Sequence, residues 1–358
     1  MATLTGVVGT ALLAFATVCL TSGCSTLGYY AQAASGHLDL LQRARPVPEL
    51  LADSATPPAL RERLVLSQQM RDFAVRELKL PDNNSYRRFA DLQRSAAVWN
   101  VVAAPELSLT LQTWCFPLIG CVGYRGYYER AGADTLATEL RQAGLETQVY
   151  GVPAYSTLGW SNWVGGDPLL NTFIRWPDAE LARLIFHELA HQVAFTADDT
   201  MFNESFATAV ERIGSRLWLQ QQQSAAASAA LAEQQRAEVR KEDFRLLTQG
   251  YRDELAALYR SSLPVAEQRQ RKTELMAALR RDHETLKTTR WGGFAGYDAW
   301  IRGANNASFA VLSAYNGWVP AFEKLFESEG RDFTRFYAAV KGLAAMPSAE
   351  RQAKLAAL

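Results

Sequence analysis

The chain has 358 residues, 48% of them hydrophobic, so it can bury a large core and is long enough for two subdomains around one cleft. Lys and Arg number 37, as do Asp and Glu, and the formal net charge is zero. This excludes a disordered chain and gives no broad electrostatic attraction to nucleic acid.

Residues 6–20 form an apolar run interrupted only by Gly9, Thr10 and Thr17, followed by Thr21-Ser22-Gly23-Cys24. The run is too short for a spanning helix and fits a signal peptide, residues 1–23, that ends in small residues. Cys24 resembles the lipobox cysteine of bacterial lipoproteins, whose thiol is lipidated and becomes the mature N-terminus. The pattern departs in two places: Thr21 stands where an aliphatic residue is usual, and no Lys or Arg precedes Arg43. The resemblance implies a lipid anchor that holds the protein to a membrane of the bacterial envelope, facing the periplasm. Ser25, in place of Asp, leans toward the outer membrane.

Residues 24–95 read as a helical region, broken at Arg45-Pro46-Val47-Pro48 and at Thr56-Pro57-Pro58, where prolines cannot continue a helix. Residues 96–215 change character. Val98-Trp99-Asn100-Val101-Val102, Leu107-Ser108-Leu109-Thr110-Leu111 and Glu146-Thr147-Gln148-Val149-Tyr150 are short and β-compatible, with a helix expected over residues 136–143. Cys115 and Cys121 enclose Phe-Pro-Leu-Ile-Gly, where Pro117 and Gly120 favour a turn. For an exported chain this predicts a small disulfide loop.

The next helix carries His187-Glu188-Leu189-Ala190-His191. Leu181, Leu184, Ile185, Leu189 and Val193 keep helical spacing, and Asp178 after Pro177 is the expected N-cap. Four residues apart, His187 and His191 project from one face and can hold two corners of a tetrahedral metal site. Glu188 beside them can serve a water molecule as general base. A third ligand is offered by the segment Met201 to Glu211, where Glu204 and Glu211 lie about two turns apart on one helical face.

HELAHQ followed by NESFATAVE resembles the gluzincin aminopeptidases, whose third ligand is the Glu of an N-E-G-F-A segment, here Glu204. The gap from His191 is shorter than the family's, and Glu211 lies nearer the family spacing, so Glu211 stays the alternative ligand. With Glu204 as ligand, Glu211 or Thr208 becomes the partner that orients an imidazole. Gly23-Cys24-Ser25, the stretch from Trp114 to Tyr128, Ala154-Tyr155-Ser156-Thr157-Leu158-Gly159-Trp160 and Asn305-Asn306-Ala307 together are similar to the bacterial putative aminopeptidase lipoproteins. This likeness covers most of the mature chain. It implies an α+β, predominantly helical, zincin-like (gluzincin) core, with a small β-sheet preceding the metal helix and a long C-terminal helical region. It also implies one Zn²⁺ ion and a peptide substrate. Residues 155–160 lie where gluzincins place a substrate-binding edge strand. The aminopeptidases carry there a Glu for the free α-amine, whereas this segment has none, and Asp167 is a distant substitute. Tyr315 is the favoured donor to the tetrahedral oxyanion, with Tyr297, Asn305 and Asn306 as alternatives.

Residues 216–290 read as a long helical hairpin, exposed over residues 224–232, and residues 291–358 as a helical region that completes the cleft. The expected function is zinc-dependent peptide hydrolysis by a membrane-anchored lipoprotein, an aminopeptidase by resemblance. A zinc endopeptidase, a cell-wall peptide amidase and a non-catalytic envelope scaffold are the alternatives. The sequence sets no oligomeric state.

Overall fold

The structure is a computed structural model that describes residues 28–116, 120–154, 165–196, 199–312 and 317–358. Cys24, the 155–160 segment and Tyr315 lie outside the described residues.

Helix α1 covers residues 28–43. The prolines then act as helix starters: Pro48 sits in the first turn of α2 (Val47–Ala52), and Pro58 opens α3 (Pro58–Arg76). A first-turn N–H has no intrahelical acceptor, so its absence costs nothing there. Strand β2 (Arg88–Ala90) pairs antiparallel with β1 (Arg45–Pro46) and parallel with β8 (Leu169–Leu170).

A second sheet is centred on β3 (Val98–Pro105), flanked by β6 (Arg125–Tyr127) and β7 (Leu145–Val152), all antiparallel. The pleat sends alternate side chains of β3 to opposite faces. Val101 packs on Ala133 and Ala137 of α4 (Arg130–Gln142), while Val102 and Ala104 pack on Ala307. The expected strand at Leu107 to Leu111 does not form. The chain turns after β3, with Ser108 N donating to Pro105 O, and returns to it only where Gln112 N donates to Ala103 O. Leu109 and Leu111 pack against two different clusters, so their alternation reflects burial without pairing. Strands β4 (Trp114–Phe116) and β5 (Gly120–Val122) form a hairpin in which Cys115 faces Cys121, and the two are disulfide-bonded.

The principal core surrounds α5 (Asp178–Ala190) and α6 (Thr200–Gln222). Phe73, Phe186 and Trp218 meet on one side, and Phe202 and Phe206 pack on Phe322 on another. A Cβ at Gly214 would come within 2.6 Å of Leu78 and 3.0 Å of Phe186, so the missing side chain is what lets α6 lie close to α5 and to the segment that follows α3. Helices α7 (Ala225–Arg260) and α8 (Val265–Thr289) form the long hairpin. They share a smaller core with α9 (Asp298–Gly303) and α10 (Asn306–Leu312). Helices α11 (Val319–Ser328), α12 (Phe333–Ala344) and α13 (Ser348–Ala356) close the chain against the principal core. The fold is thus α+β and predominantly helical, with small sheets. Among the described residues no helix is long and apolar enough to cross a membrane.

Candidate metal centre

Helix α5 buries Leu181, Ile185, Phe186 and Leu189 completely, which fixes its rotation about its axis and leaves His187 and Glu188 partly accessible. It begins one residue earlier than expected, with Pro177 at the N-cap; Asp178 lies in the first turn and forms an ion pair with Arg63 at 2.5 Å. Helix α6 is capped by Asp199, whose Oδ1 accepts from Phe202 N. Asn203 grips the link between the two helices through both ends of its amide, donating to Thr196 O and accepting from Thr196 N. These bonds fix the first turn of α6, and with it Glu204.

His187 Nε2 and His191 Nε2 are 3.1 Å apart. Glu204 Oε2 is 3.3 Å from His187 Nε2, and Glu204 Oε1 is 3.7 Å from His191 Nε2. Ligand-type atoms of the three residues all lie within 4.8 Å of one another. Bonds of about 2.0–2.1 Å in a tetrahedral zinc site put neighbouring ligand atoms about 3.3–3.4 Å apart. The observed separations bracket that edge, so the donor set fits such an ion in both chemistry and spacing.

Glu211 approaches the opposite edge of the same ring, with Oε2 3.0 Å from His187 Nδ1. A carboxylate can only accept, so Nδ1 is the donor and Nε2 is left to the cluster. Glu204, the ligand favoured from the sequence, and Glu211, the alternative, therefore sit on different nitrogens of His187. Arg183, which the sequence reading passed over, holds the other oxygen of Glu211 at 2.6 Å. Its signal was its place one turn before His187 on α5. Thr208 is buried on α6.

Burial disfavours a charged His187, but hydrogen bonds to Glu204 and Glu211 outweigh it and raise its pKa to about 10. Burial, followed by the His187 charge, lowers His191 to about 4. Burial works against an ionised Glu211 too, yet His187 and Arg183 hold it down at about 2. The two carboxylates thus favour a positive charge on the His187 ring, whereas burial disfavours one on His191.

The other candidates are engaged elsewhere. Tyr297 stacks on Phe244 at 4.1 Å in the core of the α7–α8 hairpin. Asn305 donates to Thr147 O, and Asn306 donates to Pro105 O and Glu106 O while accepting from Tyr259. Asp167 is buried, with its backbone bonded to Ser85 and Tyr86. The same Ser85, together with Asn83, holds Gln192, the residue after His191. A family model described as "Putative aminopeptidase" matches residues 28–355. No curated protein and no solved structure matches the chain.

Proposed function

This chain belongs to the putative aminopeptidase family, and from that membership we propose that it hydrolyses peptide bonds with one zinc ion, at the cluster formed by His187, His191 and Glu204. The observation that carries the reading is the convergence of two imidazole nitrogens and a carboxylate at separations suited to a single tetrahedral ion. The proposed core is gluzincin-like, with the metal helix α5 followed directly by the helix that bears the third ligand.

When bound, zinc supplies Lewis acidity to the scissile carbonyl and to the attacking water. Glu188, next to His187 on α5, accepts a proton from that water on its carboxylate as the new C–O bond forms, and returns it to the leaving amine nitrogen as the C–N bond breaks. Glu211 receives the Nδ1–H of His187 and so keeps the other nitrogen available. The aminopeptidase direction comes from the family. Asp167, the substitute amine anchor expected from the sequence, is only 2% exposed, and the endopeptidase reading stays the competitor.

The chain is further proposed to be a lipoprotein anchored through Cys24 and facing the periplasm of a bacterial envelope, more at the outer than the inner membrane. The Cys115–Cys121 disulfide supports an oxidising compartment. Metal analysis of the purified chain, coupled to cleavage of peptides with free and blocked N-termini, tests the enzymatic reading. Stoichiometric zinc with trimming of free peptides alone is the expected result; a protein without zinc after metal-replete purification, or one that cuts no peptide, refutes it.

A further inference from the structure

Arg183 occupies an unusual position for a guanidinium. It lies on α5 one helical turn before His187, it is 3% exposed, and it points at the second ligand-bearing helix. Its NH2 is 2.6 Å from Glu211 Oε1, while Glu211 Oε2 is 3.0 Å from His187 Nδ1. The carboxylate therefore bridges two residues of α5, one oxygen to each, and cannot rotate without losing one of them. NH1 contributes little to this: among the described residues it is buried without a hydrogen-bond partner, 3.6 Å from Glu180.

We infer that Arg183 is a positioning residue of the metal centre: it locks the Glu211 carboxylate in the orientation that receives the Nδ1–H of His187 and turns the Nε2 lone pair toward the ion. This rests on the zinc reading above. The physical reason is one of donors. A largely buried carboxylate with only an imidazole N–H on one oxygen can swing about its terminal torsion, and the ring can follow it. A guanidinium on the second oxygen removes that freedom, and its planar donor geometry suits the task better than an ammonium. A purely electrostatic role predicts the opposite sign, because a cation near a dication repels it, and deleting Arg183 would then tighten zinc binding.

The test measures the zinc dissociation constant of the full chain by competition with a chromophoric chelator, for Arg183→Gln, Glu211→Gln, the double variant and Arg183→Lys. The melting temperature of each metal-free protein is followed alongside. Outer partners of a ligating histidine are typically worth about ten- to a hundredfold in metal affinity. Arg183→Gln and Glu211→Gln are each expected to weaken zinc binding within that range. The double variant should bind no more weakly than the poorer single one, because Arg183 acts through Glu211. Arg183→Lys should recover part of the loss. Zinc affinity unchanged or tightened in Arg183→Gln, or losses that multiply in the double variant, overturns the inference. If Arg183→Gln does not fold, the same logic is read from Arg183→Lys with and without Glu211→Gln. Any loss caused by the Lys must vanish once Glu211→Gln is also present, and an equal loss in both backgrounds overturns the inference. A wild-type chain that binds no zinc overturns the zinc reading itself and this inference with it, whereas wild-type binding with a silent Arg183→Gln removes this inference alone.

Discussion

Arg351→Ala is expected to destabilise the chain by about 3–5 kcal/mol, the cost of stranding one partner of a buried ion pair. Arg351 of α13 is 3% exposed, and its Nε and NH2 donate to Asp199 Oδ2 at 3.0 and 2.7 Å. NH1 donates to the carbonyls of Ala344 and Met346, and the guanidinium lies 5.2 Å from the centre of the Phe202 ring. Removing it leaves the Asp199 charge uncompensated and the Met346 carbonyl without this donor; the Ala344 carbonyl still accepts from Thr196. The cation–π contact adds about 0.5–1 kcal/mol. Equilibrium urea unfolding of the metal-free protein at neutral pH measures the change as a shift in midpoint at constant slope. The double variant Arg351→Ala with Asp199→Asn should recover most of the loss, because both charges leave together and Asn still caps α6. A single-variant loss below about 1 kcal/mol, or no recovery in the double variant, would refute the reasoning.

Glu188→Gln should lower turnover by about 10²–10⁴-fold while leaving zinc content unchanged, as read from peptide cleavage and metal analysis on the same sample. Glu204→Gln should instead lose zinc during dialysis against a weak chelator, and stoichiometric retention would move the third-ligand assignment elsewhere. Chelation of the wild-type protein should abolish cleavage and re-addition of zinc restore it, with helical circular dichroism preserved throughout. The metal-free protein should show a stability maximum near pH 6.5: burial holds the folded pKa of His191 at about 4, below its ordinary 6.5, so stability already falls as pH drops from 6.5 toward 4. The folded pKa of Glu211, about 2, lies below its ordinary 4.5, so its contribution is present above that value and lost as pH falls toward about 2. The folded pKa of His187, about 10, lies above its ordinary 6.5, so its contribution is complete below 6.5 and lost as pH rises through about 10. Urea midpoints across pH check this, and Glu211→Gln should flatten the part of the acid side below about pH 4.5.

The parts of the fold that depend on local pattern were legible. The periodicity of Leu181, Ile185 and Leu189 located α5, the β-compatible runs at Val98 and Glu146 located β3 and β7, and the proline pairs located the boundaries of α2 and α3. Leu107 to Leu111 misled because alternation records burial on two sides, and here the two sides are separate cores. At the site, helical spacing brought His187, His191 and the two glutamates within reach, but it could not decide between Glu204 and Glu211. That choice depends on which edge of an imidazole each one meets, a question of how α5 and α6 cross. Arg183 escaped notice because a charged residue on an amphipathic helix ordinarily marks the solvated face, and only the docked α6 shows it to be buried.

All three proposed zinc ligands come from α5, its C-cap and the fifth residue of α6, joined by a short link. Assembling them requires only a brief loop closure, so this helix pair can condense early. Arg351 arrives from the far end of the chain and clamps Asp199 only once the last helix has docked. Fraying of α13 should therefore loosen Asp199 and the start of α6, and with it the position of Glu204.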